Sequence, residues 1–196
     1  MKQSVSGFVR IIAGKWRGRR LPVPLATELR PTPDRIRVTL FNWLAPYLSG
    51  AVCLDAFAGT GVLGIEALSR GAQSVIFIEA DKSVHTQLAK TLVALESASN
   101  VIFGKFPEAL NIKQAFNIVF LDPPFRQNFI IPALTALVEK SLLASGALIY
   151  IETEKEFSLS LPEGFELLKQ KTAGDVTYTL VKYSGYEHET HVPTCE

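Results

Sequence analysis

The sequence predicts an α/β fold built on a doubly wound, mostly parallel sheet. Three observations carry that prediction. From residue 51 onward, short apolar runs alternate with segments of helical length and periodicity. The runs are apolar on both faces, as strands covered by helices on both sides must be. A glycine-rich turn, Gly59-Thr60-Gly61-Val62-Leu63-Gly64, joins the first run to the first helix. The end of the chain differs and reads as an antiparallel hairpin.

Before this unit, Phe8–Ile12 and Trp16–Leu21 read as two strands turned at Gly14-Lys15. Pro22, Pro24 and Pro31 then predict an extended connector. Thr32 is the expected N-cap of a helix with Pro33 in its first position, running to about Leu44 with Ile36, Leu40, Phe41 and Leu44 on one face. The alternating part follows: a strand over Ala51–Asp55, a helix over Gly61–Ser69 closed by Gly71, and a strand over Ser74–Glu79. A helix over Lys82–Glu96, a strand over Asn100–Phe103, a short helix around Pro107–Leu110 and a strand over Phe116–Asp122 come next. The last crossover is a helix over Phe129–Ser141 and a strand over Ala147–Glu152. Phe165–Lys171 and Val176–Tyr183 pair around Ala173-Gly174-Asp175 as the final hairpin. The expected division is a basic hairpin-and-helix extension over 1–48, a catalytic domain over 49–183, and a polar, frayed tail over 184–196.

A chain of 196 residues that is 47% hydrophobic can bury one sizeable core with a small appendage. No apolar run approaches the roughly 18 residues of a membrane span, and the N-terminus does not read as a secretory signal. Two cysteines, Cys53 in an apolar strand and Cys195 near the end, make no disulfide framework, so a reducing cytoplasm is the expected setting. His85, His188 and His191 are scattered, and no metal is expected. The net charge of +1 conceals an asymmetry: residues 1–37 hold nine basic against two acidic groups, hence +7, and the rest of the chain eleven against seventeen, hence −6. A basic arm on an acidic body suits a polyanion such as RNA, the bland alternative being a solvated hairpin. Trp16, among Lys15, Arg17, Arg19 and Arg20, serves either to stack on a base or to pack the hairpin onto the body.

The glycine turn fits G-x-G-x-x-G, which places backbone N–H groups and a helix N-terminus toward a ligand. Glu79 closes the second strand of the alternating part, eighteen residues after Gly61, where a carboxylate accepts hydrogen bonds from ribose hydroxyls. Asp55 lies four residues before Gly59, where the pyrophosphate of a dinucleotide would meet a like charge. The same carboxylate suits a zwitterionic ligand with an amino group, and S-adenosylmethionine is one. The fourth strand ends in Asp122-Pro123-Pro124-Phe125. Two prolines remove two N–H donors, leaving the Asp122 carboxylate and the Pro123 carbonyl as acceptors beside an aromatic ring. Such a patch suits an exocyclic NH2 on a nucleobase stacked on Phe125.

D-P-P-F behind such a loop resembles motif IV of the amino-methyltransferases, D/N/S-P-P-Y/F/W. Together with RIIAGKWRGRRLPVP, LRPTPDRIRVTLFNWL, LDAFAGTGVLGIEALSRGA, FIEAD and NIVFLDPPF, it resembles the bacterial small-subunit (16S) ribosomal RNA guanine-N2 methyltransferase family over about residues 10–183. The resemblance implies a class I methyltransferase fold, Rossmann-like, with seven strands, six parallel and one antiparallel. It implies that Asp55, Phe57, Gly59, Thr60 and Gly61 hold the methionine end of S-adenosyl-L-methionine, that Glu79 and Ala80 border its ribose, and that Arg30 and Thr32 border its pocket. Asp122, Pro123 and Phe125 would hold the target guanine, and Lys15, Trp16, Arg17, Arg19, Arg20 and Arg35 would grip the RNA. The chain departs from the family at Val38, where glutamate is frequent, and at Lys105, which cannot accept a hydrogen bond from adenine; adenine recognition then falls to backbone groups or apolar packing. The expected partner is small-subunit ribosomal RNA, free or within a 30S subunit, met by a monomer. An adenine-N6 methyltransferase, a nicotinamide-dependent oxidoreductase and a noncatalytic RNA-binding module are the alternatives.

Overall fold

A computed structural model describes residues 5–24, 32–125 and 127–185. Strands β1 (Val5–Arg10) and β2 (Arg20–Pro24) pair antiparallel, and helix α1 (Asp34–Leu44) follows them. The body alternates β3 (Val52–Asp55), α2 (Val62–Ser69), β4 (Ser74–Glu79), α3 (Lys82–Ala94), β5 (Asn100–Phe103), β6 (Phe116–Leu121), α4 (Ile130–Glu139) and β7 (Leu143–Glu154), and closes with β8 (Phe165–Ala173) and β9 (Val176–Tyr183). The seven-stranded sheet has the order β5-β4-β3-β6-β7-β9-β8. Only β9 runs against the rest, pairing antiparallel with both β7 and β8. The chain winds outward from β3 through β4 to β5, then returns to place β6 on the other side of β3. The topological switch point therefore lies between β3 and β6, where a crevice opens beyond the carboxyl ends of the strands.

Successive strand residues point to opposite faces. Cys53, Phe77, Ile118, Phe120, Leu148 and Tyr150 face one core, shared with α1, α2, α3 and the apolar side of the N-terminal hairpin. Leu54, Ile78, Val119, Leu121, Ile149 and Ile151 face the other, shared with α4. Every residue of α2 is buried, because the sheet covers one side and the extension the other.

Several expectations are corrected. Residues 11–19 form a wide loop rather than strand ends around a two-residue turn, since the Ile12, Ala13, Lys15 and Trp16 amides bond to α2. Pro22 and Pro24 lie within β2, which a two-stranded ribbon tolerates because each strand has a free edge. Thr32 does not cap α1: Pro33 is the N-cap and no side chain bonds to the first turn. Residues 106–109 form a turn, not a helix; four residues containing a proline cannot meet the cost of helix nucleation. β7 starts at Leu143, earlier than expected, because a register shift against β6 absorbs Gly146 in its left-handed conformation. Of the expected tail, residues 186–196, with His188, His191 and Cys195, lie outside the described residues.

Candidate active site

Four strands that are neighbours in the sheet, β4, β3, β6 and β7, each carry a carboxylate at or near the carboxyl end: Glu79 and Asp55 as last residues, Asp122 just past β6, and Glu152 two residues before the end of β7. Asp55 is level with Phe77 and Phe120, and Phe120 with Tyr150, so Glu79, Asp122 and Glu152 lie two residues further along. Two residues is one full pleat, so all four side chains leave the same face of the sheet. The result is an acidic row along the crevice at the switch point.

The glycine turn builds one wall. Gly61 is the N-cap of α2 with φ 74°, and a Cβ there would stand 2.4 Å from a Leu88 methyl. At Gly64 an added Cβ would stand 2.3 Å from the Phe77 ring, so the third glycine lets α2 lie close on β4. Asp55 is buried, and its Oδ2 accepts the Gly64 N–H at 3.0 Å. Burial raises its pKa to about 7; the Gly64 bond opposes that and Glu79 adds to it. Glu79 accepts the Gly59 N–H at 2.8 Å on one oxygen and the Asp81 N–H at 2.7 Å on the other. It thus ties the glycine turn to the start of α3 while each oxygen keeps a second lone pair. Phe57 bridges the loop to the rings of Phe106 and Phe129. Lys105 is exposed and Phe106 buried in the stretch expected to meet adenine.

The second wall is the D-P-P-F turn. Asp122 is half-buried and Phe125 is 42% exposed, so the ring is free to stack rather than packed into the core. Thr32 links this turn to β7: its hydroxyl donates to Glu152 Oε1 at 2.9 Å and lies 3.4 Å from Asp122 Oδ2. The Tyr150 hydroxyl donates to the same Glu152 oxygen at 2.7 Å. Burial, then the charges of Glu152 and Asp55, hold Asp122 well above the usual carboxylate range. Burial likewise raises Glu152, against the two hydroxyl bonds that stabilise its anion. Tyr150 stays a neutral phenol, raised by burial and by Glu152. A cavity of about 270 Å³ opens beside the turn, lined by Pro123, Phe125, Phe129, Glu152 and Phe157 among others. Cys53 is buried and its thiol is pushed up to about 12, which leaves it inert as a nucleophile. Among the described residues no cluster of His, Cys, Asp or Glu suits a metal ion, and no helix is long and apolar enough to cross a membrane.

The family described as Conserved hypothetical protein 95 matches residues 9–182. The chain belongs to this family. Ribosomal RNA small subunit methyltransferase D of Haemophilus influenzae is 49% identical over 186 residues, spanning 90% of this chain and 95% of the relative. The protein of that name from Escherichia coli is 46% identical over 180 residues, spanning 90% and 91%. A solved putative methyltransferase from Escherichia coli superposes with a TM-score of 0.83 at 43% identity, covering 91% of this chain and 99% of its own. The sheet order and the reversed β9 are those of the class I methyltransferase fold, as expected.

The extension of this family member is anchored on α2. Glu66, fully buried, accepts the Ile12 N–H at 2.8 Å and the Ala13 N–H at 3.0 Å. It also accepts Arg70 Nε at 2.8 Å and faces Arg37 Nη1 at 3.5 Å. Ser69 takes the Lys15 N–H on its carbonyl and the Trp16 N–H on its hydroxyl. A Cβ on Gly14 would stand 1.8 Å from the Ser69 carbonyl oxygen, so only glycine fits there. Trp16 is 8% exposed and lies in the core with α1 and α2, which removes it from the expected RNA contacts. Its place on the surface is taken by Phe8, 54% exposed beneath the Arg20 guanidinium, 4.9 Å from the ring centroid. Lys15, Arg17, Arg19, Arg20 and Arg35 are exposed. Arg30 lies outside the described residues, and Thr32 bonds to Glu152 in place of its expected helix cap.

The sequence reading missed Glu152, Tyr150, Glu66, Arg37 and Phe8. For Glu152 a signal existed: ALIYIE closes in an acid as SVIFIE and NIVFLD do. For Glu66 and Arg37 none did, since a charge on an amphipathic helix ordinarily faces water.

Proposed function

We propose that this chain transfers a methyl group from S-adenosylmethionine to the exocyclic N2 amine of a guanine in small-subunit ribosomal RNA. The observation that carries the reading is the row of four carboxylates along the crevice. A pyrophosphate there would meet repulsion in a partly desolvated site, whereas a sulfonium and an ammonium are attracted. The names of the relatives support ribosomal RNA as the substrate, and the acceptor-only D-P-P-F turn supports an amine as the target.

The residues present fit the cofactor. Gly59 and Gly61, both at positive φ, bring backbone and the α2 N-terminus close to it. Asp55 takes its amino group, Glu79 its ribose hydroxyls, with Phe57, Thr60 and Ala80 alongside. Thr32 borders the pocket through its place between Asp122 and Glu152. When bound, S-adenosylmethionine supplies a methyl group as an electrophile on sulfur. The chain's own part is to position and to take a proton. Asp122 and the Pro123 carbonyl accept the two amine protons and turn the nitrogen lone pair out of the base plane. Phe125 stacks on the base. As the nitrogen becomes positive these hydrogen bonds strengthen, and Asp122 accepts the proton it sheds. A raised pKa suits a base working near neutrality. The outer face of the hairpin, with Lys15, Arg17, Arg19 and Arg20, docks RNA phosphates, and Arg35 on α1 adds a fifth charge.

The test is transfer of labelled methyl from S-adenosylmethionine to small-subunit ribosomal RNA and to small subunits lacking the mark, followed by nucleoside mass spectrometry. N2-methylguanosine, absent with Asp122→Ala, is the expected product. N6-methyladenosine would overturn the choice of base.

A further inference from the structure

The D-P-P-F turn explains how an amine is held but not which base carries it. Adenine, cytosine and guanine all present an exocyclic NH2, and Asp122 with the Pro123 carbonyl would accept protons from any of them. What differs is the ring nitrogen beside the amine. In guanine, N1 carries a hydrogen and is a donor. In adenine N1 and in cytosine N3 the corresponding nitrogen is a bare lone pair, an acceptor.

Glu152 is placed to read that difference. It lies two residues before the end of β7, the strand beside β6, on the same face as Asp122 and at the same level. It lines the cavity together with Phe125 and Phe157, two rings that offer a base apolar walls. Its Oε1 is committed: it accepts the Thr32 hydroxyl at 2.9 Å and the Tyr150 hydroxyl at 2.7 Å. Two fixed donors on one oxygen orient the carboxylate and favour its anion. Thr32, in contact with both acids, sets their spacing. Neither Thr32 nor Tyr150 is accounted for by cofactor chemistry alone; both are explained by a carboxylate that must be held in one orientation.

We propose that Glu152 is the specificity-determining acceptor for guanine, its Oε2 taking the N1–H while Asp122 and the Pro123 carbonyl take the N2 amine. Three acceptors then meet three donors on one base edge. Adenine or cytosine in the same pose would set a lone pair against a buried carboxylate, with no proton between them. This role rests on the guanine-N2 reading above, and Thr32 and Tyr150 are positioning residues that act through Glu152.

The experiment compares guanine with a base that lacks the N1 hydrogen, in wild type and in Glu152 variants. The methylated guanine is first located in the natural RNA by mass spectrometry of the wild-type product. Small-subunit RNA is then prepared with guanine or 2-aminopurine at that position and assembled as the natural substrate requires. 2-Aminopurine keeps the N2 amine but has a lone pair at N1 and no 6-oxo group, so the change of preference in the Glu152 variants is what assigns the N1 contact. The wild-type enzyme should favour guanine in kcat/KM by at least about 100-fold, as sites built around a buried hydrogen bond do. Glu152→Gln should reduce that preference to within about 10-fold, because the amide can rotate to donate to the lone pair. Glu152→Asp, which withdraws the carboxylate by one methylene, should lose part of the preference. Tyr150→Phe should narrow the preference in part, in the same direction as Glu152→Gln, because one of the two donors that orient the carboxylate is lost. A merely structural role would lower both substrates together.

A wild-type enzyme that uses both bases equally would overturn the assignment with no variant needed, so a poorly folded variant cannot shelter it. An unchanged preference in a folded, cofactor-binding Glu152→Gln would overturn it too. If the natural product is N6-methyladenosine, the guanine reading and the role of Glu152 fall together. If it is N2-methylguanosine without discrimination against 2-aminopurine, only the role of Glu152 falls.

Discussion

Removing the Glu66 carboxylate should detach the basic extension from the cofactor-side helix. In the native fold this one side chain holds two backbone N–H groups of the 11–19 loop and two guanidinium groups, all with no more than partial access to water. Glu66→Ala leaves Arg37, which is fully buried, with the exposed Asp34 as its ionic partner at 2.6 Å. Breaking a buried pair from one side costs about 3–5 kcal/mol. Each orphaned buried amide adds on the order of 1–3 kcal/mol, less whatever the loop recovers by moving into solvent. The expected loss is therefore about 4 kcal/mol, or roughly 8–16 °C in Tm for a domain of this size. Glu66→Gln keeps one acceptor but sets an amide against two cations, and should lose at least half as much. Urea unfolding at pH 7 measures the loss, and limited trypsin cleavage after Lys15 and Arg17 reports the loop directly. A loss below about 1 kcal/mol with unchanged cleavage would show that the anchor is not Glu66 and that apolar packing of Trp16 and Leu21 holds the extension alone.

Asp55, with a pKa near 7, is largely protonated below neutrality and offers no charge to an ammonium group; cofactor affinity, read by calorimetry, should rise from pH 5.5 to 7.5 and be flat in Asp55→Asn. The same raised pKa means the folded state binds more protons than the unfolded one between roughly pH 4 and 7, so this group's contribution to stability falls as pH rises through that window. Denaturation of wild type and Asp55→Asn at pH 5 and pH 8 should show the variant gaining relative stability at the higher pH; a constant difference would contradict the buried charge. Asp122→Ala should lower kcat by about 10²–10⁴-fold while leaving cofactor affinity nearly intact, and near-normal turnover would remove Asp122 from the chemistry. Because Asp122 is held well above the usual carboxylate range, wild-type kcat/KM should climb with pH until it ionises, rather than level off near pH 4. Neutralising Arg17, Arg19 and Arg20 together should flatten the log–log salt dependence of RNA binding by about 2 in slope without changing cofactor affinity. An unaltered slope would place the RNA on another face.

Local pattern carried much of this protein. Apolar runs of strand length separated by helical periods specify strands and helices whatever lies around them, which is why Ser74–Glu79 and Asn100–Phe103 match their expected bounds. The glycine turn and the D-P-P-F turn are written in backbone constraints, positive φ in one and missing amides in the other, so both could be found without coordinates. Asp55, Glu79 and Asp122 could be placed at strand ends in the same way, since each follows an apolar run.

What the sequence could not decide depends on partners far along the chain. Trp16 and Phe8 are both aromatic residues in a basic hairpin, and only the path of the 11–19 loop over α2 buries one and exposes the other. Glu66 and Arg37 look like solvent-facing charges until the extension covers them. Thr32 reads as a helix cap by local rule, yet its hydroxyl finds Glu152, 120 positions away, and helps orient the second acid. Helical and strand periods are local, so a sequence displays them. Burial, charge pairing and the convergence of four strand ends on one crevice are set by which segments pack together, and that is decided in three dimensions.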